Sequence, residues 1–329
     1  MPLVSEHSRT AAIAEALATV IIWGATFVAT KIALEEVSPA TVVWLRFGMG
    51  LAVLGLAAGF RRELAVPQRG EWAYLVLLGL IGVAFHQWLQ ANGLRTAQAT
   101  TTAWIVATTP IFITLLGWLV LKERLTGMQS AGIAVAALGV ILVVSKGNPA
   151  ALFLGSAGNT GDLLVLISAP NWAVYTVLSR RGLARTAAAK MIFYVMFSGW
   201  LIVTIWLMGI GPGIAEIDDL SWRGWSAVAG LGVLGSGLAY VMYYDALRVL
   251  TATQLGVFLN VEPLVTMLLA APLLGEPITV VVLLGGGLIL FGIFLVNRIA
   301  APIMRSTGDD RGPSSGDRDR PGKRPSPRA

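Results

Sequence analysis

Ten stretches of this chain stay apolar for about 18–25 residues at a time, the length an α-helix needs to cross a hydrocarbon core about 30 Å thick. Inside lipid, every backbone amide and carbonyl must find its partner within the protein, and a helix does this within its own segment. A barrel strand would alternate apolar with polar residues, and these runs do not. The reading is therefore an all-α membrane protein. Its helices are expected over Ala11–Leu34, Ala40–Phe60, Trp72–Asn92, Ala97–Leu121, Met128–Ser145, Gly161–Leu178, Met191–Ile210, Trp225–Leu247, Thr253–Leu274 and Ile278–Val296. Charged residues make up 13% of the chain, against about 25% in soluble domains. The first run is too long for a cleaved leader and further runs follow it.

The net charge of +6 is explained by topology rather than by nucleic acid. Arg61, Arg62, Arg69, Lys122, Arg124, Arg180, Arg181, Arg185, Lys190 and Arg248 lie in alternate loops and would face one side, together with Arg9, Arg298 and Arg305. The other side carries Lys31, Arg95, Lys146 and Arg223, with the acidic group Glu216, Asp218 and Asp219. The positive-inside rule then puts both termini in the cytoplasm, as an even number of spans requires. After Met304 the chain turns to Pro, Gly, Ser and charge. Residues 305–329 read as a disordered cytoplasmic tail.

The chain repeats itself. A shift of 153 residues lays Arg95 on Arg248, Thr100 on Thr253, Pro110 on Pro263, Glu123 on Glu276, Thr126 on Thr279, Gly132 on Gly285 and Gly139 on Gly292. Trp23 and Trp172 correspond at a shift of 149. Each repeat holds five helices. Five is odd, so the second copy must enter the membrane from the opposite face. Inverted repeats of this kind underlie alternating access in transporters.

The stretches "TTPIFITLLGWLVLKERLTGMQSAGIAVAALGVILV" and "VEPLVTMLLAAPLLGEPITVVVLLGGGLILFGIFLV" each run from a mid-helix Pro, through a Glu closing that helix, into a Gly-bearing last helix. Together with Arg46-Phe47 they resemble the EamA module of the drug/metabolite transporter superfamily. The similarity spans about residues 11–298, as modules over 11–145 and 161–298. It implies ten helices, both termini in the cytoplasm and a bacterial inner-membrane location. Within the superfamily the chain is most similar to exporters of amino acids, aromatic ones included, and of related metabolites. Carriers of drugs, nucleotide precursors or sugar derivatives are the alternative.

Polar groups inside the hydrocarbon are costly and face protein or water, so those near mid-span are the candidate substrate-binding residues. They are His86, Gln87 and Gln90 in the third run, Trp104 in the fourth, Trp172 and Tyr175 in the sixth, Tyr240 and Tyr244 in the eighth, and Asn260 and Glu262 in the ninth. The aromatics could stack on an apolar substrate, within a roomy amphipathic cavity. Glu262 is the sharpest of them. A carboxylate at the bilayer centre costs about 2.5–3.5 kcal/mol on insertion scales, and it could bind a substrate ammonium or carry a coupled proton. Pro110, Pro170 and Pro263 each remove a backbone donor and are expected to break or hinge their helices. Arg46 is read as structural, Glu123 and Glu276 as caps, and Gly132, Gly139, Gly285 and Gly292 as close-packing sites.

No cysteine is present and only His7 and His86 are histidines, so no metal site and no cofactor are expected. A membrane-embedded lipid enzyme would need a nucleophile–base pair or a metal cluster. A channel would need a ring of carbonyls or like charges. Neither is visible, nor is a P-loop. The expected partners are a small-molecule substrate and the bilayer.

Overall fold

The computed structural model describes residues 9–61, 64–122, 124–148, 158–183, 186–247, 249–250, 255 and 258–298. No strand occurs among them. Among the described residues, nine helices are long and apolar enough to cross a membrane. They are α1 (Arg9–Ala33), α2 (Pro39–Phe60), α3 (Trp72–Leu94), α4 (Ala99–Val120), α5 (Gly127–Val144), α6 (Thr160–Ser179 within a helix reaching Leu183), α7 (Ala188–Gly209), α8 (Trp222–Ala246) and α10 (Val280–Arg298). The shorter α9 (Glu262–Leu274) lies between α8 and α10. The first part of the ninth expected span, from Thr253, falls largely outside the described residues, as do Glu123, Arg248 and the 305–329 tail.

Local chemistry sets the helix ends, and it repeats. Ser38 accepts the Thr41 amide ahead of Pro39 at the start of α2, where a proline's missing N–H costs nothing. Thr126 and Gln129 form a reciprocal capping box at the start of α5. The equivalent Thr279 accepts the Val282 amide at 3.2 Å ahead of α10. Lys122 ends α4 in the left-handed conformation at φ 55°. Its equivalent, Gly275, ends α9 at φ 67°. A glycine adopts that geometry freely, whereas a lysine is strained by its Cβ.

Two features set the interior shape. First, α3 and α8 pass through π-helical segments at equivalent places, Leu80–Phe85 and Gly230–Leu238, each of which disturbs the regular hydrogen-bond ladder. Second, α4 and α9 are interrupted just before equivalent prolines. The turn falls at Thr108 ahead of Pro110 and at Asn260-Val261 ahead of Pro263. Pro170 behaves differently, because it lies inside the continuous helix Thr160–Leu183. The break expected there does not form.

The last helices of the two halves meet through glycine. A methyl group on Gly132 would come within 2.7 Å of the Gly292 carbonyl oxygen, and one on Gly139 within 2.6 Å of the Gly285 carbonyl oxygen. Only bare backbones can approach so closely, which is how small residues drive helix association in lipid. As residue number rises from 132 to 139 along α5, it falls from 292 to 285 along α10, so the two run antiparallel. The contact is also reciprocal, since each glycine of α5 meets the repeat equivalent of the other: Gly132 meets Gly292, the counterpart of Gly139, and Gly139 meets Gly285, the counterpart of Gly132. Elsewhere, Gly93 of α3 packs on Gly161 of α6, and Ala246 of α8 clusters with Ala12 and Ala16 of α1, the matching pair of helices.

Replacing Gly139 with leucine should wedge α5 from α10 and lower stability by about 1–3 kcal/mol or more. Gly287 of α10 has no atom within 4 Å of its Cβ position, so Gly287→Leu should change stability by less than about 0.5 kcal/mol. Thermal melting of both variants in nanodiscs checks the contrast, and equal losses would refute the packing assignment.

Candidate functional site

The π segments bring the two halves together in the middle of the bundle. A π turn leaves carbonyls in need of donors, and in lipid a neighbouring helix must supply them. The Trp23 indole of α1 donates to the Gly235 carbonyl of α8 at 3.1 Å. The Asn171 amide of α6 donates to the Ile81 carbonyl of α3 at 2.9 Å. Each donor sits in the first helix of one half, and each acceptor in the third helix of the other. The glycines of α8 admit α2 at close range, with a methyl on Gly50 falling 2.6 Å from the Ser236 Cβ.

An aromatic group forms on each side of this crossing. The His86 ring lies 4.6 Å from Trp172, and Trp172 lies 4.7 Å from Tyr175. Tyr175 covers Gly82, its ring occupying the space a Cβ there would need. Across the bundle, Trp23 meets Tyr240 edge-on at 5.4 Å and Tyr243 at 5.2 Å. Tyr243 in turn meets Tyr244 at 5.6 Å. Tyr175, Tyr240 and Tyr244 pack against one common core cluster, so the two groups converge there. Of the sequence-expected residues, the structure thus brings together His86, Gln87, Trp172, Tyr175, Tyr240 and Tyr244.

Arg46 joins them. Its Nε donates to the Ser236 hydroxyl at 2.8 Å, and its Nη1 lies 3.5 Å from Gln87 Oε1. The side chain is buried, with 9% exposure for the residue. Tyr240 and Glu262 are both within its electrostatic reach. Sequence reasoning set Arg46 aside as structural. The signal available was its charge in the middle of an apolar run, but nothing local pointed to Ser236, which lies 190 residues away.

Glu262 opens α9 directly after the break. Its backbone is held by α1, where the Thr266 hydroxyl lies 2.8 Å from the Gly24 carbonyl and 3.0 Å from that of Glu262. The carboxylate makes no hydrogen bond to a described residue. Asn260 lies at the same break and is half-buried. Gln90 is buried on α3, and no hydrogen bond joins it to a described residue. Trp104 stands apart: it is 1% exposed, packs on Gly286 of α10 and belongs to the α4–α5–α10 core. Thr108 and Thr109 turn back onto their own helix, donating to Ile105 and Val106 carbonyls at 2.6 and 2.7 Å. His86 Nδ1 is buried without a hydrogen-bond partner among the described residues.

Away from this centre, one end of the bundle is tied by polar contacts. Both oxygens of Glu276 accept amides at the start of α4, from Ala99 at 2.6 Å and Thr100 at 2.9 Å. This is the capping role read from its position. Lys31 donates to the Ala97 carbonyl beside them. Asn159 bonds the Thr96 carbonyl at 2.8 Å, and Glu216 accepts from the Ser38 amide and the Thr41 hydroxyl at 2.8 and 2.7 Å. At the same level, the Ser221 hydroxyl and amide hold the Glu36 carboxyl below its usual range. No group of three or more His, Asp or Glu suited to a metal occurs among the described residues.

Asn171→Ala should strand the Ile81 carbonyl and cost about 1–2 kcal/mol, read as a lower melting temperature in nanodiscs. An unchanged melt would mean that the π segment does not depend on this bond.

Comparison with known proteins agrees with this architecture. The model of the EamA-like transporter family matches residues 10–145 and again 159–298. A protein from Archaeoglobus fulgidus named as an uncharacterized transporter is 30% identical over 84% of this chain and 94% of its own length. The uncharacterized transporter YyaM of Bacillus subtilis is 27% identical over 85% of this chain and 91% of its own. A probable terminal-alkyne amino-acid exporter of Streptantibioticus cattleyicolor is 28% identical, covering 85% of this chain and 91% of its own. A solved crystal structure at 21% identity superposes with a TM-score of 0.63 over 90% of this chain and 99% of that one, a likeness of fold. With two matches spanning nearly all of its apolar length, the chain belongs to the EamA-like transporter family.

Proposed function

We propose that this transporter is a secondary exporter of small organic metabolites, amino acids above all and aromatic ones among them, working by alternating access. The observation that carries the reading is the convergence of two aromatic groups, one from each half, on buried polar side chains beside the break that opens α9. Ligand sites of carriers are built in this way, at the repeat interface and at discontinuous helices. The similarity to a probable terminal-alkyne amino-acid exporter adds support for the substrate class.

In this reading the chain has ten helices in two inverted modules, 11–145 and 161–298. The antiparallel Gly132–Gly292 and Gly139–Gly285 contacts and the reciprocal bonds to the π segments support that symmetry. The excess of basic residues on one side supports cytoplasmic termini in a bacterial inner membrane. The sequence has no ATP-hydrolysing motif, so a gradient drives the flux, with Glu262 the candidate carrier of a coupled proton. His86, Gln87, Trp172, Tyr175, Tyr240, Tyr244, Asn260 and Glu262 line the path, and the breaks ahead of Pro110 and Pro263 are its hinges.

Counterflow of labelled phenylalanine or tryptophan into proteoliposomes should saturate. Glu262→Gln and His86→Ala should each lower it about tenfold or more without loss of membrane insertion, and Trp172→Ala should weaken aromatic substrates more than small ones. Wild-type rates in both polar variants would refute the central site, and equal losses across substrates would refute stacking by Trp172. Reporter fusions should place the N-terminus and the 149–158 connector on opposite faces. The same face for both would overturn the inverted arrangement.

A further inference from the structure

Arg46 is a guanidinium in the apolar middle of α2 whose bonding capacity is largely unspent. Of its five N–H donors, one is used at 2.8 Å on Ser236 and a second reaches Gln87 only at 3.5 Å. No carboxylate of a described residue lies within ion-pair distance of it. The ion pairs formed between described residues lie at helix ends, Arg61–Asp245 at 2.7 Å, Lys190–Glu71 at 2.9 Å and Arg223–Glu35 at 2.9 Å. Phe47 offers it a ring face at 5.4 Å, but a buried cation with no carboxylate partner among the described residues is expensive in lipid, and such residues mark sites that handle charge.

Ser236 and Gln87 leave the planar fork a defined orientation. The Ser236 bond fixes Nε on α8, and the longer Gln87 contact sets the side on which Nη1 lies. Nη2 lies 4.0 Å from the Cβ position of Gly235, which the Thr26 side chain approaches at 2.7 Å. Two parallel N–H groups in this arrangement match the two oxygens of a carboxylate. Lysine, a point charge, would not.

The opposite charge nearby is Glu262, within electrostatic reach but not in contact. Its carboxylate makes no hydrogen bond to a described residue. A cation and an anion that share one low-dielectric region without forming an ion pair, with Tyr240 in reach of both, suit a molecule that carries both charges at short separation. The aromatic rings that converge on the same core cluster complete the match to an apolar side chain.

We propose that Arg46 is the carboxylate anchor of the transported substrate, whose ammonium faces Glu262, so that the site selects zwitterionic α-amino acids over the corresponding amines. This rests on the amino-acid reading above and assigns the charge recognition within it. Ser236 is a positioning residue that aims the guanidinium.

Three compounds sharing one indole test the assignment: tryptophan, tryptamine without the carboxylate, and indole-3-propionate without the ammonium. Binding is measured by calorimetry on the full-length protein in nanodiscs. Wild type should bind tryptophan tightest. Arg46→Gln should weaken tryptophan and indole-3-propionate about ten- to hundredfold relative to tryptamine, the size expected for charge-assisted bonds. Glu262→Gln should do the reverse, weakening tryptophan and tryptamine relative to indole-3-propionate. If Arg46→Gln does not fold, Arg46→Lys and Ser236→Ala carry the test. Both keep a cation, and both should shift the acid-to-amine ratio several-fold in the same direction. A ratio unchanged in every folded variant, with tryptophan still bound, would overturn the role of Arg46 and leave the exporter reading standing. Failure of wild type to bind any of the three would overturn both.

Discussion

Every carbonyl in this protein's middle has to be answered from within the protein, and the two π segments decide where the answers come from. A regular α-helix satisfies itself and needs no neighbour. Leu80–Phe85 and Gly230–Leu238 do not, and each takes a donor from the first helix of the opposite half. The exchange ties α1 to α8 and α6 to α3 at matching points. Once those crossings are set, α2 can lie against the glycines of α8, and the aromatic rings of both halves are carried to one place.

The same crossing separates two jobs for polar groups. Toward the end that carries Glu276, polar side chains are spent on closing contacts: Glu276 on the start of α4, Lys31 on Ala97, Asn159 on Thr96, Glu216 on Ser38 and Thr41. These groups have their bonds and hold the helices in register. In the centre, the Glu262 carboxylate and most of the Arg46 donors have no hydrogen-bond partner among the described residues. A fold that satisfies its periphery so fully and leaves opposite charges apart in its middle keeps them there at a cost in stability. In the proposed reading, a ligand of complementary charge recovers that cost on binding, which is the source of the site's selectivity.

Several elements were legible in the sequence because their causes are local. Thr126 and Thr279 cap the last helices, and the turns ahead of Pro110 and Pro263 follow from a donor that proline lacks. Glu276 capped a helix start, as its place at a helix end suggested. Other residues turned out otherwise. Pro170 is absorbed in a continuous helix. Trp104, chosen as a polar-tipped aromatic at mid-span, fills the space above Gly286 in the apolar core shared by α4, α5 and α10. Residue type was the same in each case, and the neighbours made the difference.

The sequence by itself therefore determined the helical class, most of the helix ends and the duplication, because apolar length, caps and prolines act within one segment. Tertiary structure alone decided which polar groups share a site. Arg46 reaches Ser236 and approaches Gln87, Trp23 reaches Gly235, and His86 meets Trp172, each across helices far apart in the chain. Such partners depend on how closely two backbones cross, and the bare glycines of the facing helix set that distance.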